Sequence, residues 1–253
     1  MRRMPVLLLQ AIPLAVFVAA WELSVRHDKK LVFFFGTPSK VFDYIATKTM
    51  DGSLIIDFGT TLLEALLGFL IGNVVGTLLG LAFWFSRTAV TIVRPYIVAL
   101  SAAPIFALAP LFIIWFGTGL LSKVMMATFS TVFLALFQAY TGATQVREEY
   151  VQLMHSFGAT RNQIFRKVIA PSAVVWVISA FKMNIGMALL GAFIGEFISS
   201  ERGLGHLILV ASGLFDISLV LAGVVCLMLI AVFFNIVLAR LEIPIKHLVA
   251  RCL

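Results

Sequence analysis

Polar side chains interrupt an apolar stretch that runs from residue 174 to residue 197. Lys182 and Asn184 lie within it, and Glu196 lies near its end. Polar groups in lipid are costly unless they face protein or water, so these three residues are candidates for a translocation pathway. They would contact a solute there, or bind the ion that drives a secondary transporter. Lysine is also long enough to extend its ammonium group to the membrane surface, so a structural role for Lys182 stays open.

The other residues that could do chemistry form no recognisable pattern. The four histidines are scattered without metal-ligand spacing, and no Ser/His/Asp grouping is visible. Cys226 and Cys252 indicate neither a disulfide framework nor a metal site. The sequence lacks the G-x-x-x-x-G-K-[ST] phosphate loop. We therefore expect a chain that is not an enzyme and binds no cofactor or metal, and whose energy comes from a partner or an ion gradient.

The composition is that of a membrane protein. Of the 253 residues, 61% are hydrophobic and 12% are charged. A soluble domain carries about twice that charged fraction. Apolar runs of about 18 residues or more recur, and they must be helical because lipid offers no partner for open backbone groups. In such a protein the net charge of +7 reports orientation and does not argue for nucleic-acid binding.

Six membrane-spanning helices are predicted, at residues 5–23, 58–85, 95–115, 124–142, 174–197 and 219–238. Basic residues before the first run and after the last place both termini in the cytoplasm by the positive-inside rule. Residues 86–94 are predicted to form an inner loop and residues 199–217 an outer loop. Between the first two spans, an amphipathic helix from Pro38 through Lys48 is expected outside, against the membrane.

Two prolines, Pro104 and Pro110, interrupt the third predicted span. We expect that span to be kinked or partly unwound, which lipid tolerates only where protein or a water-filled cavity covers the break. Both prolines therefore join the candidates for the pathway. Glu64 and Glu196 are expected near the outer surface, with water within reach.

Four glycines in the second predicted span are spaced by four residues. Gly68, Gly72, Gly76 and Gly80 therefore share one helix face and form a groove that another backbone can approach closely. The partner in that groove is either another helix of the same chain or a second subunit, and the spacing leaves both alternatives open.

A polar segment at residues 148–171 separates two strongly apolar regions. It contains apolar residues at helical spacing on both sides of Gly158. Gly158 suits a sharp change of direction because it has no Cβ, and Pro171 is expected to end the second half. The pattern predicts helix, glycine turn and helix, outside the bilayer but attached to it at both ends.

This segment resembles the EAA loop of ABC importer permeases, with Gly158, Val168 and Pro171 at the spacing of that family, although the acidic-Ala-Ala start is missing. The resemblance covers nearly the whole chain. Ala103–Leu111 with Trp115–Gly119 looks like the third-span signature of permeases for nitrate, taurine and alkanesulfonates, and Gly203-Leu204-Gly205 looks like the loop after their fifth span. Two departures are Glu64, where the family commonly has a basic residue, and Lys182, where it often has arginine.

The resemblance implies a single all-α transmembrane domain over residues 1–253, with the type I ABC importer architecture, in a bacterial inner membrane. It implies a second copy of the chain, two ATPase subunits that bind ATP and Mg²⁺, and an external solute-binding protein. Residues 148–171 would form the coupling helix. The residues expected to contact the ATPase are Met154, Phe157, Gly158, Ala159, Arg161, Phe165 and Pro171.

The solute is less well defined. A pathway that contains Lys182 suits a small anion such as a sulfonate, taurine or nitrate, but related permeases also carry neutral heterocycles, including vitamin precursors. A secondary transporter is the main rival to an ABC permease, and it fits poorly because the six spans show no internal repeat. An ATPase and a secreted binding protein encoded beside this gene would separate the two.

Overall fold

The computed structural model describes the backbone of residues 4–252 and the side chains of residues 9, 12–240 and 242. All regular elements in this described part are helices. They are α1 Met4–Val25, α2 Lys29–Phe35, α3 Pro38–Met50, α4 Ser53–Ala82, α5 Arg87–Ala102, α6 Ile105–Phe116, α7 Leu120–Thr144, α8 Glu148–Ser156, α9 Arg161–Ile164, α10 Ala170–Ser199, α11 Leu204–Gly213 and α12 Ile217–Cys252. The all-α class predicted from the sequence is confirmed.

Within that described part, four helical segments are long and apolar enough to cross a membrane, and α5 with α6 makes a fifth if the bent pair is one span. The four are Ser53–Phe85, Leu120–Thr144, Arg161–Ser199 and Ile217–Arg240. The first predicted span, residues 5–23, begins in a stretch whose side chains lie outside the described residues. Arg2 and Arg3 lie outside the described residues altogether. The count of six spans and the location of both termini therefore stay predictions.

The centre of the bundle is built from α4, α7 and α10. The four glycines of α4 face α7 of the same chain, so the contacts favour the intramolecular alternative. A Cβ on Gly72 would lie 1.9 Å from Thr131 Oγ1, and a Cβ on Gly76 would lie 2.3 Å from the Val132 carbonyl oxygen. Because nothing larger than hydrogen fits at these positions, the two helix backbones approach closely over several turns.

The third predicted span bends at one proline and not at two. The helices α5 and α6 meet at 96°, and the break falls at Ala103 and Pro104. Ala103 is extended there, because a residue that precedes proline avoids the helical region. The prediction of a second break was wrong, since α6 continues through Pro110. Residues 86–94 are not a loop either, because the Ser86 hydroxyl caps the first turn of α5.

The predicted outer loop at residues 199–217 contains a helix, α11, whose ten residues are too few to suggest a span. Pro171 was wrongly expected to end the segment that precedes it. It lies in the first turn of α10, and a π-helical turn at Phe165–Ile169 joins α9 to α10. Proline clashes with the carbonyl four residues before it in a regular helix, and the wider turn occurs where that clash would fall.

The predicted amphipathic helix is confirmed as α3, with Thr37 as its N-cap and Val41 buried. The Tyr44 hydroxyl of α3 donates a hydrogen bond to Asp216, which precedes α12. That bond, with burial, raises the pKa of Tyr44 above its usual range. The Thr37 N–H also donates to the Ser218 hydroxyl at 3.3 Å, so α3 is tied to the start of α12 at two points.

Candidate functional site

The helix α8 and its C-cap residue, Phe157, present three large apolar side chains to solvent. Tyr150, Leu153 and Phe157 are 49%, 53% and 77% exposed. They follow the i, i+3, i+7 pattern of a helix that docks into a groove of a partner. Of the three, only Phe157 was singled out from the sequence. The same spacing could have identified Tyr150 and Leu153, which lie in the polar run between two charged residues and His155.

Gly158 turns the chain directly after this exposed face. Its φ is +71°, a backbone conformation that side chains with a Cβ rarely adopt. A Cβ at Gly158 would meet nothing within 4 Å, so the backbone angle and not crowding requires glycine here. Thr160 then starts α9 with a capping box, in which its side chain and that of Gln163 bond each other's backbone N–H groups.

The other predicted contact residues lie against their own chain. Met154, Ala159 and Phe165 pack on a buried cluster that contains Ile164 and Ile169. Arg161 lies over the ring of Trp84, with its Cζ 5.2 Å from the ring centroid. Pro171 is half-buried in the first turn of α10. Phe157 and Gly158 are exposed, and Arg161 is exposed as well although it lies over Trp84.

The candidate pathway residues are not gathered in one place. Lys182 forms an ion pair with Glu242 of α12 at 2.6 Å. Asn184 is fully buried, and its amide donates to Asn73 Oδ1 at 2.7 Å and to the Thr131 carbonyl oxygen at 3.1 Å. Glu196 lies about 18 Å further along α10, at about 1.5 Å per residue. The candidates at the bent third span, Pro104 and Pro110, are both exposed.

Glu196 was expected near water, and the structure places it in a fully buried position instead. Its Oε1 accepts a hydrogen bond from the Thr61 hydroxyl at 2.6 Å, and its Oε2 accepts one from the Gly205 N–H at 2.7 Å. Thr61 in turn accepts from the Leu204 N–H, and Asp57 accepts from the Gly203 N–H, both at 2.9 Å.

These bonds satisfy the first backbone donors of α11, which a helix cannot satisfy by itself. The glycines of the Gly203-Leu204-Gly205 motif permit the contact, because a Cβ on Gly203 would lie 2.2 Å from Glu196 Oε1. Sequence reasoning missed Asp57 and Thr61, since each lies more than a hundred residues from its partner. Glu196 therefore holds α11 in place, and its part in a translocation pathway stays a prediction.

Glu64 lies beside this cluster and is also more buried than expected, at 2% exposure. Its Oε2 has no hydrogen-bond partner among the described residues. The side chain borders a cavity of about 660 Å³ at the same end of the bundle, which Lys123 and Arg202 also line. Within the described residues, no group of three or more His, Cys, Asp or Glu side chains is arranged to hold a metal ion.

The model of the family described as "Binding-protein-dependent transport system inner membrane component" matches residues 72–245. That match covers more than half of the chain, so the chain belongs to this family. It is an ABC importer permease, as the sequence resemblance predicted, and its curated relatives include permeases named for aliphatic sulfonates and for taurine.

Two curated relatives illustrate the range of solutes in the family. The chain is 29% identical over 194 residues to the formylaminopyrimidine transport permease protein ThiX of Halalkalibacterium halodurans, covering 76% of each chain. It is 26% identical over 239 residues to the taurine transport system permease protein TauC of Escherichia coli, covering 90% of this chain and 85% of TauC.

The fold is similar to a solved chain of the MetNI methionine ABC transporter in an inward-facing conformation. The TM-score is 0.69 at 17% identity, over 78% of this chain and 98% of the MetNI chain. At that identity the likeness shows the fold alone. The chain therefore shares the fold of that transporter chain. Its family and its apolar helices make it a multi-pass membrane protein.

Proposed function

We propose that the chain forms the solute pathway of an ABC importer in a bacterial inner membrane, with the type I architecture. Two copies of the chain would assemble with two ATPase subunits and receive solute from an external binding protein. The observation that carries this proposal is the exposed face of Tyr150, Leu153 and Phe157 on α8. Family membership supports ATPase subunits and a binding protein as partners.

The physical role of α8 follows from its exposure. Closure of the ATPase subunits on ATP does useful work only if it moves the membrane helices. A short helix seated in an apolar groove of the ATPase can carry that movement, with Phe157 as its most exposed anchor. The turn at Gly158 then directs the chain back to α9 and the start of α10, so the loop connects the docked face to the bundle.

The solute that we propose is a small anion such as a sulfonate, taurine or nitrate. The taurine permease among the relatives and the basic Lys182 on α10 support it. A neutral heterocycle is the second candidate, and the formylaminopyrimidine permease supports it. In either case the pathway would open to one side of the membrane at a time. Direct binding assays on the partner binding protein would distinguish the two classes of solute.

We expect the purified chain to hydrolyse no ATP by itself and to co-purify with its ATPase subunits as a two-plus-two assembly. The absence of a phosphate loop from the sequence and the exposed face of α8 both motivate this expectation. Size-exclusion chromatography with light scattering measures the stoichiometry, and phosphate release measures hydrolysis. Solute transport into liposomes by this chain alone, driven by an ion gradient, would show that it is a secondary transporter.

We expect Phe157→Ala to weaken ATPase attachment by about ten- to a hundredfold, since it removes about 1.5–3 kcal/mol of apolar burial at about 1.4 kcal/mol per factor of ten. The measurement is binding of the purified ATPase subunit to the permease in detergent. Phe233→Ala is the matched control, because it truncates a phenylalanine that is 52% exposed on α12. Equal ATPase affinity in both variants would remove the support for α8 as the docking helix.

A further inference from the structure

Arg161 connects the loop to the end of α4. Its guanidinium Cζ lies 5.2 Å from the ring centroid of Trp84 and 5.6 Å from that of Phe85. Its Nη2 also donates a hydrogen bond to the Trp84 carbonyl oxygen at 3.3 Å. Trp84 and Phe85 belong to the 3₁₀ turn that ends α4, so a residue of α9 holds the terminus of a membrane-spanning helix.

The chemistry at this helix end favours an arginine. The last carbonyl groups of a helix lack partners within it and carry the negative end of the helix dipole. A guanidinium satisfies such a carbonyl and stacks on an aromatic face at the same time, because it is planar and has several donors. The contact of Arg161 with Trp84 therefore combines a charge-assisted hydrogen bond with a cation–π interaction.

One further ring, that of Phe165, holds the arrangement in place. Phe165 packs on Phe85 with ring centroids 4.7 Å apart and on Trp84 at 5.6 Å. Next to these rings, a cavity of about 440 Å³ lies between the loop and the bundle, lined by Arg87, Tyr140 and other residues. The loop is therefore not packed against the bundle on all sides.

The apolar cluster around Ile164 and Ile169 also attaches the loop, but in a different way. Apolar burial is non-directional, so it resists separation of the loop from the bundle more than sliding or rotation. The stacking and hydrogen bond of Arg161 have defined geometry, and they therefore resist rotation of the loop relative to α4.

We propose that Arg161 is a positioning residue that holds the coupling loop, residues 148–171, against Trp84 and Phe85, so that displacement of α8 is transmitted to α4. This proposal for Arg161 depends on the function proposed above, in which α8 docks on an ATPase subunit. It replaces the expectation that Arg161 contacts the ATPase. From α4 the movement would reach α7 through the close backbone contact at the four glycines. It would also reach α11 through Thr61 and Asp57, which lie at the opposite end of α4.

The experiment uses the complete transporter in liposomes: two copies of the chain, the ATPase subunits and the loaded binding protein. We expect Arg161→Gln and Trp84→Leu to bind the ATPase as the wild type does, while solute uptake per ATP hydrolysed falls about five- to tenfold, the size expected from one cation–π contact and one hydrogen bond. The double variant is expected to be no worse than either single variant, because both remove the same contact. Arg166→Gln, at an exposed arginine of the same segment, is the matched control.

Three outcomes would overturn the proposal: wild-type uptake per ATP in both single variants, additive losses in the double variant, or loss of ATPase binding in Arg161→Gln alone. The last would place Arg161 at the ATPase interface. If Arg161→Gln does not accumulate in the membrane, solute uptake per ATP hydrolysed in Trp84→Leu tests the proposal. Failure of the proposed function would look different, since the wild-type chain would then bind no ATPase and take up no solute.

Discussion

Replacing Gly76 with leucine should eliminate the folded protein, whereas the same replacement at Gly59 of the same helix should leave it intact. A Cβ on Gly76 would lie 2.3 Å from the Val132 carbonyl oxygen and 2.8 Å from the Ala135 Cβ. A leucine side chain fits there only if the backbones of α4 and α7 move apart. Adding even one or two methylene groups to a close-packed core costs about 1–3 kcal/mol. A Cβ on the exposed Gly59 would meet nothing within 4 Å.

Fluorescence-detected size-exclusion chromatography of membranes solubilised in mild detergent would measure this difference. We expect a monodisperse peak of wild-type size for Gly59→Leu and an aggregated or absent peak for Gly76→Leu. Gly76→Ala should lie between them, with a lower melting temperature. A wild-type peak and melting temperature for Gly76→Leu would mean that α4 and α7 are not in close contact through this face.

The period of four among these glycines was enough to predict a shared helix face, because side chains at i and i+4 lie on one side of any α-helix. It was not enough to identify the partner. The partner is decided by Thr131 and Val132 of α7, and nothing in their own sequence pattern marks them as the complement of a glycine groove. The spacing of the glycines therefore predicts which helix face is in contact, but only the tertiary structure shows that α7 lies against it.

The coupling loop shows the same division. The glycine turn was predictable because Gly158 lies between two segments with apolar residues at helical spacing, and the structure gives it a φ of +71°. The orientation of the loop was not predictable, because the choice between a partner and the chain's own Trp84 depends on how α4 ends. Phe157 and Arg161 were both predicted to contact the ATPase, but Phe157 is 77% exposed whereas Arg161 lies over the ring of Trp84.

The polar residues of α10 were found from the sequence, but their surroundings were not. A buried asparagine and a buried glutamate in an apolar run read equally well as pathway groups or as structural groups. The distinction depends on partners far away in the chain, such as Asn73 for Asn184 and Thr61 for Glu196. The short helix α11 was missed for a related reason, since its start is stabilised by side chains from α4 and α10 and not by a cap of its own.

Glu196→Gln should destabilise the protein strongly, although it is close to isosteric. Both carboxylate oxygens of Glu196 accept hydrogen bonds, one from Thr61 and one from the Gly205 N–H. Glutamine offers one acceptor oxygen, so its NH₂ group would face either the Gly205 N–H or the Thr61 hydroxyl in a fully buried position. Facing Gly205 leaves that N–H unsatisfied, at a cost of about 1–3 kcal/mol, and facing Thr61 forces the hydroxyl to turn its proton to the Asp57 carbonyl oxygen.

Glu64→Gln is the matched control for this prediction, because it makes the same chemical change at a neighbouring buried position. Glu64 Oε2 has no partner among the described residues, so the amide forfeits no hydrogen bond at that atom. We therefore expect the melting temperature in detergent to fall for Glu196→Gln and to stay level for Glu64→Gln. Equal losses in both variants would mean that the two hydrogen bonds accepted by Glu196 are not what holds α11.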